Sequence, residues 1–143
     1  MRAPRILVIE DNPGDIQLLR HGLSQQDEPY ELIALRDGEA ALLFIAEERS
    51  GTSTDPCVIV LDLHLPRHSG MEVLRALRQE PILAHISVVA WTSFAGPAEE
   101  AEVRRLGAHL REKPATLGEF QELAEFVMEL CKRYLEAMAR ILP

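Results

Sequence analysis

The feature that most constrains the fold of this chain is a short segment near its middle, 57–61, which is apolar at every position and ends abruptly at Asp62. A strand that is apolar on both faces is typical of the interior of a parallel sheet, where helices cover both sides. Neighbouring parallel strands need long crossover connections, and these connections are usually helical. We therefore expect an α/β fold in which helices precede and follow this strand.

The rest of the chain alternates between short apolar segments and helical patterns. Strands are predicted at five places, which are residues 6–9, 30–35, 57–61, 86–91 and 108–112. A helix is predicted after each strand, at residues 15–23, 39–48, 69–79, 97–106 and 117–142, and a polar loop at 50–56. Five strand–helix units in this order predict a doubly wound parallel sheet with helices on both faces.

The length and charge of the chain limit its organisation and its partners. Its 143 residues suit one domain, 1–143, with a core over about 4–130 and a helical extension over about 131–143. The formal net charge of -8 repels phosphate backbones, so we predict no nucleic-acid partner. No apolar segment is long enough for a signal peptide or a membrane span, which predicts a cytoplasmic protein without a membrane partner. Cys57 and Cys131 belong to no metal-binding motif and are expected to be reduced thiols.

Polar residues follow four of the five predicted strands. Glu10 and Asp11 follow the first strand, Asp62 the third, Thr92 the fourth and Lys113 the fifth. Ligands of open α/β sheets bind outside the carboxyl ends of the strands, where these residues would meet. Each residue alone has an ordinary explanation as a solvated turn, a cap or a surface side chain. Their joint placement favours a functional site instead.

The residue types at this edge suit phosphoryl transfer. Three carboxylates, those of Glu10, Asp11 and Asp62, repel one another, and Mg²⁺ relieves the repulsion while keeping several of its waters. Asp62 is then a candidate nucleophile for a phosphoryl group. Thr92 can donate a hydrogen bond to phosphoryl oxygens, and Lys113 can supply a positive charge.

Four segments of the sequence resemble the receiver domain of two-component response regulators. They occur in the order and spacing of that family and span nearly the whole chain, at residues 6–12, 60–70, 90–93 and 112–114. The resemblance implies a flavodoxin-like (βα)5 receiver fold with a five-stranded sheet of order 2-1-3-4-5, here with an extended C-terminal helix. Since no output domain follows, we expect a stand-alone response regulator that signals through protein–protein contacts and is not an enzyme.

By this resemblance, Asp62 accepts a phosphoryl group from a sensor histidine kinase or a phosphotransfer protein. Glu10 and Asp11 bind Mg²⁺ together with Asp62 and the backbone carbonyl of His64. The side chain of His64 departs from the family pattern. It is expected to be exposed to solvent and without a catalytic duty, and the alternative is that it positions a water molecule.

The same resemblance makes Thr92 the switch hydroxyl and Lys113 the lysine that pairs with the phosphoryl group, with a cis peptide bond between Lys113 and Pro114. Two further positions depart from the family pattern. Leu110 stands where an aromatic residue is common, so the switch must act through packing or backbone shifts. Phe94, two residues after Thr92, is expected to shield the phosphoryl group from water and to prolong its lifetime.

Two finer expectations concern partners. The chain resembles receivers that are paired with phytochrome-type kinases in three features, which are residues 12–15, the pair 92–93 and the long last helix. On that helix Tyr134, Met138 and Ile141 continue an apolar stripe beyond the sheet. The stripe predicts a homodimer through the last helix, and the alternative is a helix end that frays.

Three other functions fit parts of the pattern less well. Haloacid-dehalogenase phosphatases need an acid two residues after the nucleophile, where His64 stands. A flavodoxin-like electron carrier needs a phosphate loop rich in glycine and hydroxyl groups, whereas residues 10–13 begin with two acids. A degenerate receiver that binds partners without phosphorylation is the strongest rival, although the acids, Thr92 and Lys113 argue against it.

Overall fold

A computed structural model describes residues 3–49 and 56–141. Within these residues five strands alternate with five helices, as the sequence predicts. The strands are β1 (Arg5–Ile9), β2 (Glu31–Leu35), β3 (Val58–Asp62), β4 (Ser87–Thr92) and β5 (His109–Glu112). The helices are α1 (Pro13–Ser24), α2 (Gly38–Arg49), α3 (Gly70–Gln79), α4 (Pro97–Arg105) and α5 (Leu117–Ile141). The predicted loop at 50–56, apart from Pro56, and the predicted helix end at Leu142 lie outside the described residues.

The strands form a parallel sheet in the order β2-β1-β3-β4-β5, which confirms the predicted fold. β3 lies at the centre of the sheet, and all five of its residues are buried. In the register of the sheet, Ile9 is paired with Leu61 and Asp62 with Trp91. Because all strands run in the same direction, the polar residues that follow them reach one edge of the sheet.

Helices cover both faces of the sheet, because successive residues of a strand point to opposite sides. α1 and α5 pack on one face, with Leu19 and Val127 among their buried residues. α2, α3 and α4 pack on the other face, with Leu74 and Val103 among theirs. Full burial of such a side chain contributes about 1.5–3 kcal/mol. The two layers of core therefore hold the strand ends in fixed relative positions.

Helix α1 begins at Pro13, two residues earlier than predicted. The side chain of Asn12 caps the helix by accepting hydrogen bonds from the backbone N–H groups of Gly14 (2.8 Å) and Asp15 (3.2 Å). Proline suits the first helical turn, where a backbone N–H would have no helical acceptor. The first turn of α1 therefore lies directly beside the end of β1.

Helix α5 is 25 residues long, and its last part leaves the core. Its inward-facing residues are buried as far as Cys131. Beyond that point Tyr134 and Met138 are half-buried, and Ile141 is 73% exposed. In the described part of the chain, no helix combines the length and the apolar character that crossing a membrane requires.

Two expectations about covalent geometry are wrong. Cys57 and Cys131 form a disulfide and are not reduced thiols, because α5 crosses the sheet near the start of β3 and brings their Cα atoms to 4.9 Å. A separation of 74 positions along the chain conceals this proximity from sequence reasoning. The peptide bond between Lys113 and Pro114 is trans. An X–Pro amide favours the trans isomer by about 0.5–1 kcal/mol, and the local sequence contains nothing that reverses this preference.

Candidate functional site

The acidic residues predicted at the sheet edge lie together there. Glu10 and Asp11 directly follow β1, and Asp62 is the last residue of β3. One carboxylate oxygen from each of the three residues lies within 4.8 Å of the others. Glu10 and Asp62 are buried and Asp11 is exposed, so this acidic cluster is open to solvent on one side.

Backbone groups fix the two buried acids of the cluster. The carboxylate of Glu10 accepts a hydrogen bond from the backbone N–H of Asn12 at 3.0 Å. Oδ1 of Asp62 accepts one from the backbone N–H of His64 at 2.9 Å. The start of α3 packs against Asp62 so closely that a Cβ atom on Gly70 would overlap the Asp62 carbonyl oxygen. The position therefore requires glycine.

The ammonium group of Lys113 lies among the carboxylates. Its Nζ atom is 2.9 Å from Oε1 of Glu10, 3.0 Å from Oδ2 of Asp15 and 3.2 Å from Oδ2 of Asp62. The backbone N–H of Lys113 donates to the carbonyl of Thr92 at 2.9 Å, which fixes the point where the side chain begins. Only 16% of the Lys113 side chain is exposed. The lysine thus forms ion pairs with three acids, which lie directly after β1, in the first turn of α1 and at the end of β3.

The pKa values of two groups at the site are raised, that of Glu10 mainly by burial and that of Lys113 by neighbouring carboxylates. Burial raises the pKa of Glu10 to about 7, and the charge of Asp62 adds to this effect, while Lys113 and the Asn12 amide oppose it. For Lys113, burial alone would lower the pKa, but its contacts with Glu10, Asp15 and Asp62 outweigh burial and raise the pKa above the usual lysine value. One cation among so many carboxylates leaves an excess of negative charge.

The acidic cluster fits Mg²⁺. Carboxylate oxygens are the hard ligands that this ion prefers, and the open side at Asp11 leaves room for the waters that it keeps. A divalent cation would also stabilise the ionised form of Glu10, which burial disfavours. The contact that the structure shows for the His64 backbone is its N–H on Asp62. The predicted role of the His64 carbonyl as a metal ligand stays a prediction.

Thr92 is buried at the end of β4, and its hydroxyl group points into the loop that follows. The hydroxyl donates a hydrogen bond to the carbonyl oxygen of Phe94 at 2.9 Å. Nε2 of His64 donates to the same oxygen at 3.1 Å and lies 3.8 Å from the carboxylate of Glu99. The His64 side chain is 57% exposed, in agreement with its predicted exposure. One backbone oxygen therefore connects the loop after β3 with the loop after β4.

Phe94 and Leu110, the two departures near the switch, occupy very different environments. Phe94 is 74% exposed, so the rest of the protein covers little of its ring in this conformation. Its predicted shielding of a phosphoryl group stays a prediction and requires the loop to close. Leu110 is half-buried on β5, opposite Ala90, and packs against the core beneath α4.

Sequence reasoning missed Asp15 and Asn12, which both contact the site. An acidic residue in the first turn of a helix is common, because it interacts favourably with the helix dipole. Asp15 therefore gave no separate signal of a functional role, and Asn12 entered only within segments that resemble receiver domains. A usable signal does exist. A capping Asn followed by Pro fixes where α1 begins, and so places Asp15 in the turn next to the end of β1.

Comparison with known proteins agrees with this geometry. The sequence matches the response regulator receiver domain over residues 6–125. Response regulator Rcp1 of Synechocystis sp. (strain ATCC 27184 / PCC 6803 / Kazusa) is 40% identical over 89 residues, which cover 62% of this chain and 60% of Rcp1. The solved structure of the phosphorylated cyanobacterial phytochrome response regulator RcpA is similar, with a TM-score of 0.80 and 28% sequence identity. The match covers 90% of this chain and 93% of the RcpA chain. The solved Mn²⁺-bound form of Rcp1 has a TM-score of 0.77 and 31% sequence identity. That match covers 87% of this chain and 91% of the Rcp1 chain. With the sheet order and the acidic edge, the match over residues 6–125 shows that this chain belongs to the response regulator receiver domain family of two-component phosphorelay signalling.

Proposed function

We propose that this protein is a stand-alone response regulator that accepts a phosphoryl group on Asp62 and passes the signal on through protein–protein contacts. The observation that carries the proposal is the position of Lys113, whose ammonium group lies 3.2 Å from Asp62 and 2.9 Å from Glu10. A phosphoryl group on Asp62 adds negative charge at this point. A largely buried ammonium group already beside Asp62 stabilises that charge.

Mg²⁺ is the proposed cofactor, held by Glu10, Asp11, Asp62 and the backbone carbonyl of His64. When bound, the ion neutralises charge on the phosphoryl group during transfer. The acidic cluster supports this assignment, and so does the existence of a solved Mn²⁺-bound form of the relative Rcp1.

The proposed phosphoryl donor is the phosphohistidine of a sensor histidine kinase or of a phosphotransfer protein. A carboxylate oxygen of Asp62 forms a bond to phosphorus while the phosphorus–nitrogen bond of the donor breaks. The electron pair of that bond stays on the imidazole, which leaves as neutral histidine after taking up a proton from solvent. Water later hydrolyses the aspartyl phosphate to the carboxylate and inorganic phosphate. The protein is thus proposed to be a phosphoacceptor and not an enzyme with a separate substrate.

The proposed switch begins at Thr92. In the described conformation its hydroxyl group is bound to the carbonyl of Phe94, so this hydrogen bond must break before Thr92 can donate to a phosphoryl oxygen. The loop after β4 then moves inward with Thr92, and the face formed by α4, β5 and α5 changes shape. Because Leu110 replaces an aromatic residue, the change passes through the loop backbone and through packing rather than through rotation of a ring.

The proposed partners are a phytochrome-type kinase and a second copy of this chain. The kinase assignment draws on the similarity to phytochrome response regulator RcpA. A groove of about 440 Å³ along the end of α5 supports the proposal of a homodimer, and Tyr134, Met138 and Ile141 are among the residues that line it. An apolar stripe that continues beyond the domain edge is typical of an interface with another chain.

A cytoplasmic location is proposed because histidine kinases draw their phosphoryl groups from ATP, which is a cytoplasmic metabolite. The disulfide between Cys57 and Cys131 is unusual for a reducing compartment. Both residues are buried, however, which restricts the access of reducing thiols to the sulfur atoms.

The proposal is tested by intact mass after incubation with acetyl phosphate, with and without Mg²⁺. We expect one added phosphoryl group on the wild type in Mg²⁺ only, and none on the Asp62→Asn variant. Asp37→Asn is a matched control, because Asp37 also accepts a backbone hydrogen bond in a loop but lies outside the acidic cluster. This control should be phosphorylated like the wild type.

Two outcomes would overturn the proposal. A mass gain on Asp62→Asn would place the phosphoryl group on another residue. No mass gain on the wild type, together with no binding of beryllofluoride as a phosphoryl mimic, would identify a degenerate receiver that binds partners without phosphorylation.

A further inference from the structure

We propose that Asp15 is a positioning residue that holds the ammonium group of Lys113 in place to pair with the phosphoryl group on Asp62. This inference rests on the function proposed for Asp62 above. Asp15 lies in the first turn of α1, and its Oδ2 atom accepts a hydrogen bond from Nζ of Lys113 at 3.0 Å. The contact joins two residues that are 98 positions apart in the chain.

Asp15 differs from the other two partners of Lys113 in what else it does. An ammonium group has three N–H donors, and three carboxylates surround this one. Glu10 and Asp62 also belong to the acidic cluster that is proposed to bind Mg²⁺, whereas Asp15 is outside that cluster as the described residues define it. Asp15 is therefore the acid whose charge stays with Lys113 when the other two take new partners.

Lysine needs such an anchor, and the fold makes Asp15 a rigid one. A lysine side chain is flexible, so its ammonium group stays at one point only if a fixed partner holds it. The backbone N–H of Asp15 is bound to Oδ1 of Asn12 at 3.2 Å. Further along α1, a Cβ atom on Gly22 would overlap the carbonyl oxygen of Phe120, so α1 is packed tightly against α5.

Removal of the Asp15 charge should slow phosphorylation. In Asp15→Asn, Lys113 keeps two carboxylate partners that are shared with the proposed metal site and loses the independent one. We expect the rate of phosphorylation by acetyl phosphate, at saturating Mg²⁺, to fall about tenfold, as for the loss of one hydrogen bond between charged groups. Asp15→Glu restores the charge and should recover most of the rate.

Trp91 provides a readout that needs neither metal nor phosphorylation. It is the single tryptophan of the chain and is fully buried, and Nζ of Lys113 lies 5.6 Å from the centre of its ring. A displaced ammonium group changes the electric field at the indole and so shifts its emission. We expect Asp15→Asn to shift Trp91 emission in the metal-free protein. In a Lys113→Met background, Asp15→Asn should produce no further shift.

The experiment compares the wild type with Asp15→Asn, Asp15→Glu, Lys113→Met and the double variant Asp15→Asn/Lys113→Met. Glu39→Gln is the matched control. Glu39 is also an acid in the first turn of a helix and pairs with a cation, Arg67, at 2.9 Å, but outside the site. Its variant should match the wild type in both measurements, which separates the proposed role from a general effect of losing a helical acid.

The results decide between clear alternatives. Slower phosphorylation of Asp15→Asn, recovery in Asp15→Glu and an emission shift that requires Lys113 support the proposal. Wild-type rate and emission in Asp15→Asn, or an emission shift that persists without Lys113, would overturn it. If the wild type itself is not phosphorylated and binds no beryllofluoride, the function proposed for Asp62 fails, and the phosphoryl role of Asp15 fails with it. The emission of the metal-free protein still decides in that case whether Asp15 holds the lysine.

Discussion

At the residue scale, the carbonyl oxygen of Phe94 is the point where two loops of the site meet. It accepts hydrogen bonds from the hydroxyl of Thr92 and from the ring of His64. Both bonds hold the loop after β4 in the described conformation, in which the Thr92 hydroxyl donates to the backbone of its own loop. The exposed histidine, for which the sequence suggested no catalytic duty, therefore has a structural one: it stabilises the described conformation of this loop.

The first prediction follows from this contact. His64→Ala removes one donor and frees the loop, so phosphorylation by acetyl phosphate in Mg²⁺ should become about two- to tenfold faster, as expected for one neutral hydrogen bond. Intact mass at successive times measures the rate. His68→Ala is the control, because His68 is also exposed and bound, to Glu72 at 3.0 Å, but not to the switch loop. Equal rates in the two variants would contradict the prediction.

The second prediction concerns the pH dependence of stability in the metal-free protein. Glu10 has a pKa of about 7 in the folded protein against 4.5 for an ordinary glutamate. Between these values the folded state binds a proton that the unfolded state releases, so stability falls as pH rises, by at most about 1.4 kcal/mol per pH unit. Above pH 7 the effect levels off. The raised pKa of Lys113 contributes no slope here, because that group is protonated in both states.

Urea unfolding between pH 5 and pH 8 measures this slope. Glu10→Gln cannot ionise and should flatten it. Saturating Mg²⁺ should also reduce the slope, because the ion stabilises the ionised carboxylate. Identical slopes for Glu10→Gln and the wild type would refute the assignment to Glu10.

Single residues of the site differ in how far the sequence predicts them. Glu10, Asp62 and Lys113 were predictable, because strand ends of a parallel sheet converge whatever the loops do. Asp15 was missed, because its contact with Lys113 depends on where α1 begins, which only the capping Asn12 before Pro13 indicates. The hydrogen bond from His64 to the Phe94 carbonyl was also not predictable, because a backbone acceptor in a loop has no sequence signature.

At the element scale, the start of α3 and the end of β3 form the most tightly packed junction at the site. Gly70 opens α3 directly against the backbone of Asp62. Ser69 caps the helix by accepting a hydrogen bond from the backbone N–H of Glu72 at 3.3 Å. The sequence predicted a helix from residue 69, where a serine before a helical pattern is a recognisable start. It did not predict the contact of Gly70 with Asp62. A glycine in a sequence indicates a close approach or an unusual backbone conformation but does not identify the neighbour.

The third prediction tests this junction. Gly70→Ala places a methyl group where the Asp62 carbonyl lies, so the free energy of unfolding should fall by about 1–3 kcal/mol, as for overpacked cores. Chemical denaturation measures the loss. Gly96→Ala is the matched control, because a Cβ atom on Gly96 meets no atom within 4 Å. We expect the stability of that variant to remain within about 0.5 kcal/mol of the wild type. Equal losses in both would rule out the packing explanation.

At the scale of the whole molecule, α5 is the element that exceeds the needs of the domain. Its first part closes one face of the sheet, and residues 132–141 are exposed or half-buried. The periodic apolar pattern predicted the helix and its length well, because periodicity is a local property. Whether another chain packs on the end of α5 depends on the assembly, so the periodicity of one sequence does not predict it.

The fourth prediction concerns the oligomer. Ile141→Glu places a charge at the end of the α5 groove and should convert a homodimer into a monomer in sedimentation velocity experiments. Leu43→Glu is the control, because Leu43 is a comparably exposed apolar residue, 59% against 73%, but lies on α2. This control should sediment like the wild type. A monomeric wild type at the highest protein concentration tested would contradict the proposed dimer.

The disulfide between Cys57 and Cys131 turns the middle of the chain into a closed ring with two free tails. Asp62, Thr92 and Lys113 all lie on the ring, whereas β1 and α1 bring their acids to the site on the N-terminal tail. Assembly of the site is therefore the docking of a tail onto a ring whose chain entropy is already reduced before folding. The tail is the less constrained part, so its order decides whether the site is complete. Local opening of β1 and α1 would remove Glu10, Asp11 and Asp15 from the proposed phosphorylation site while the ring stayed folded.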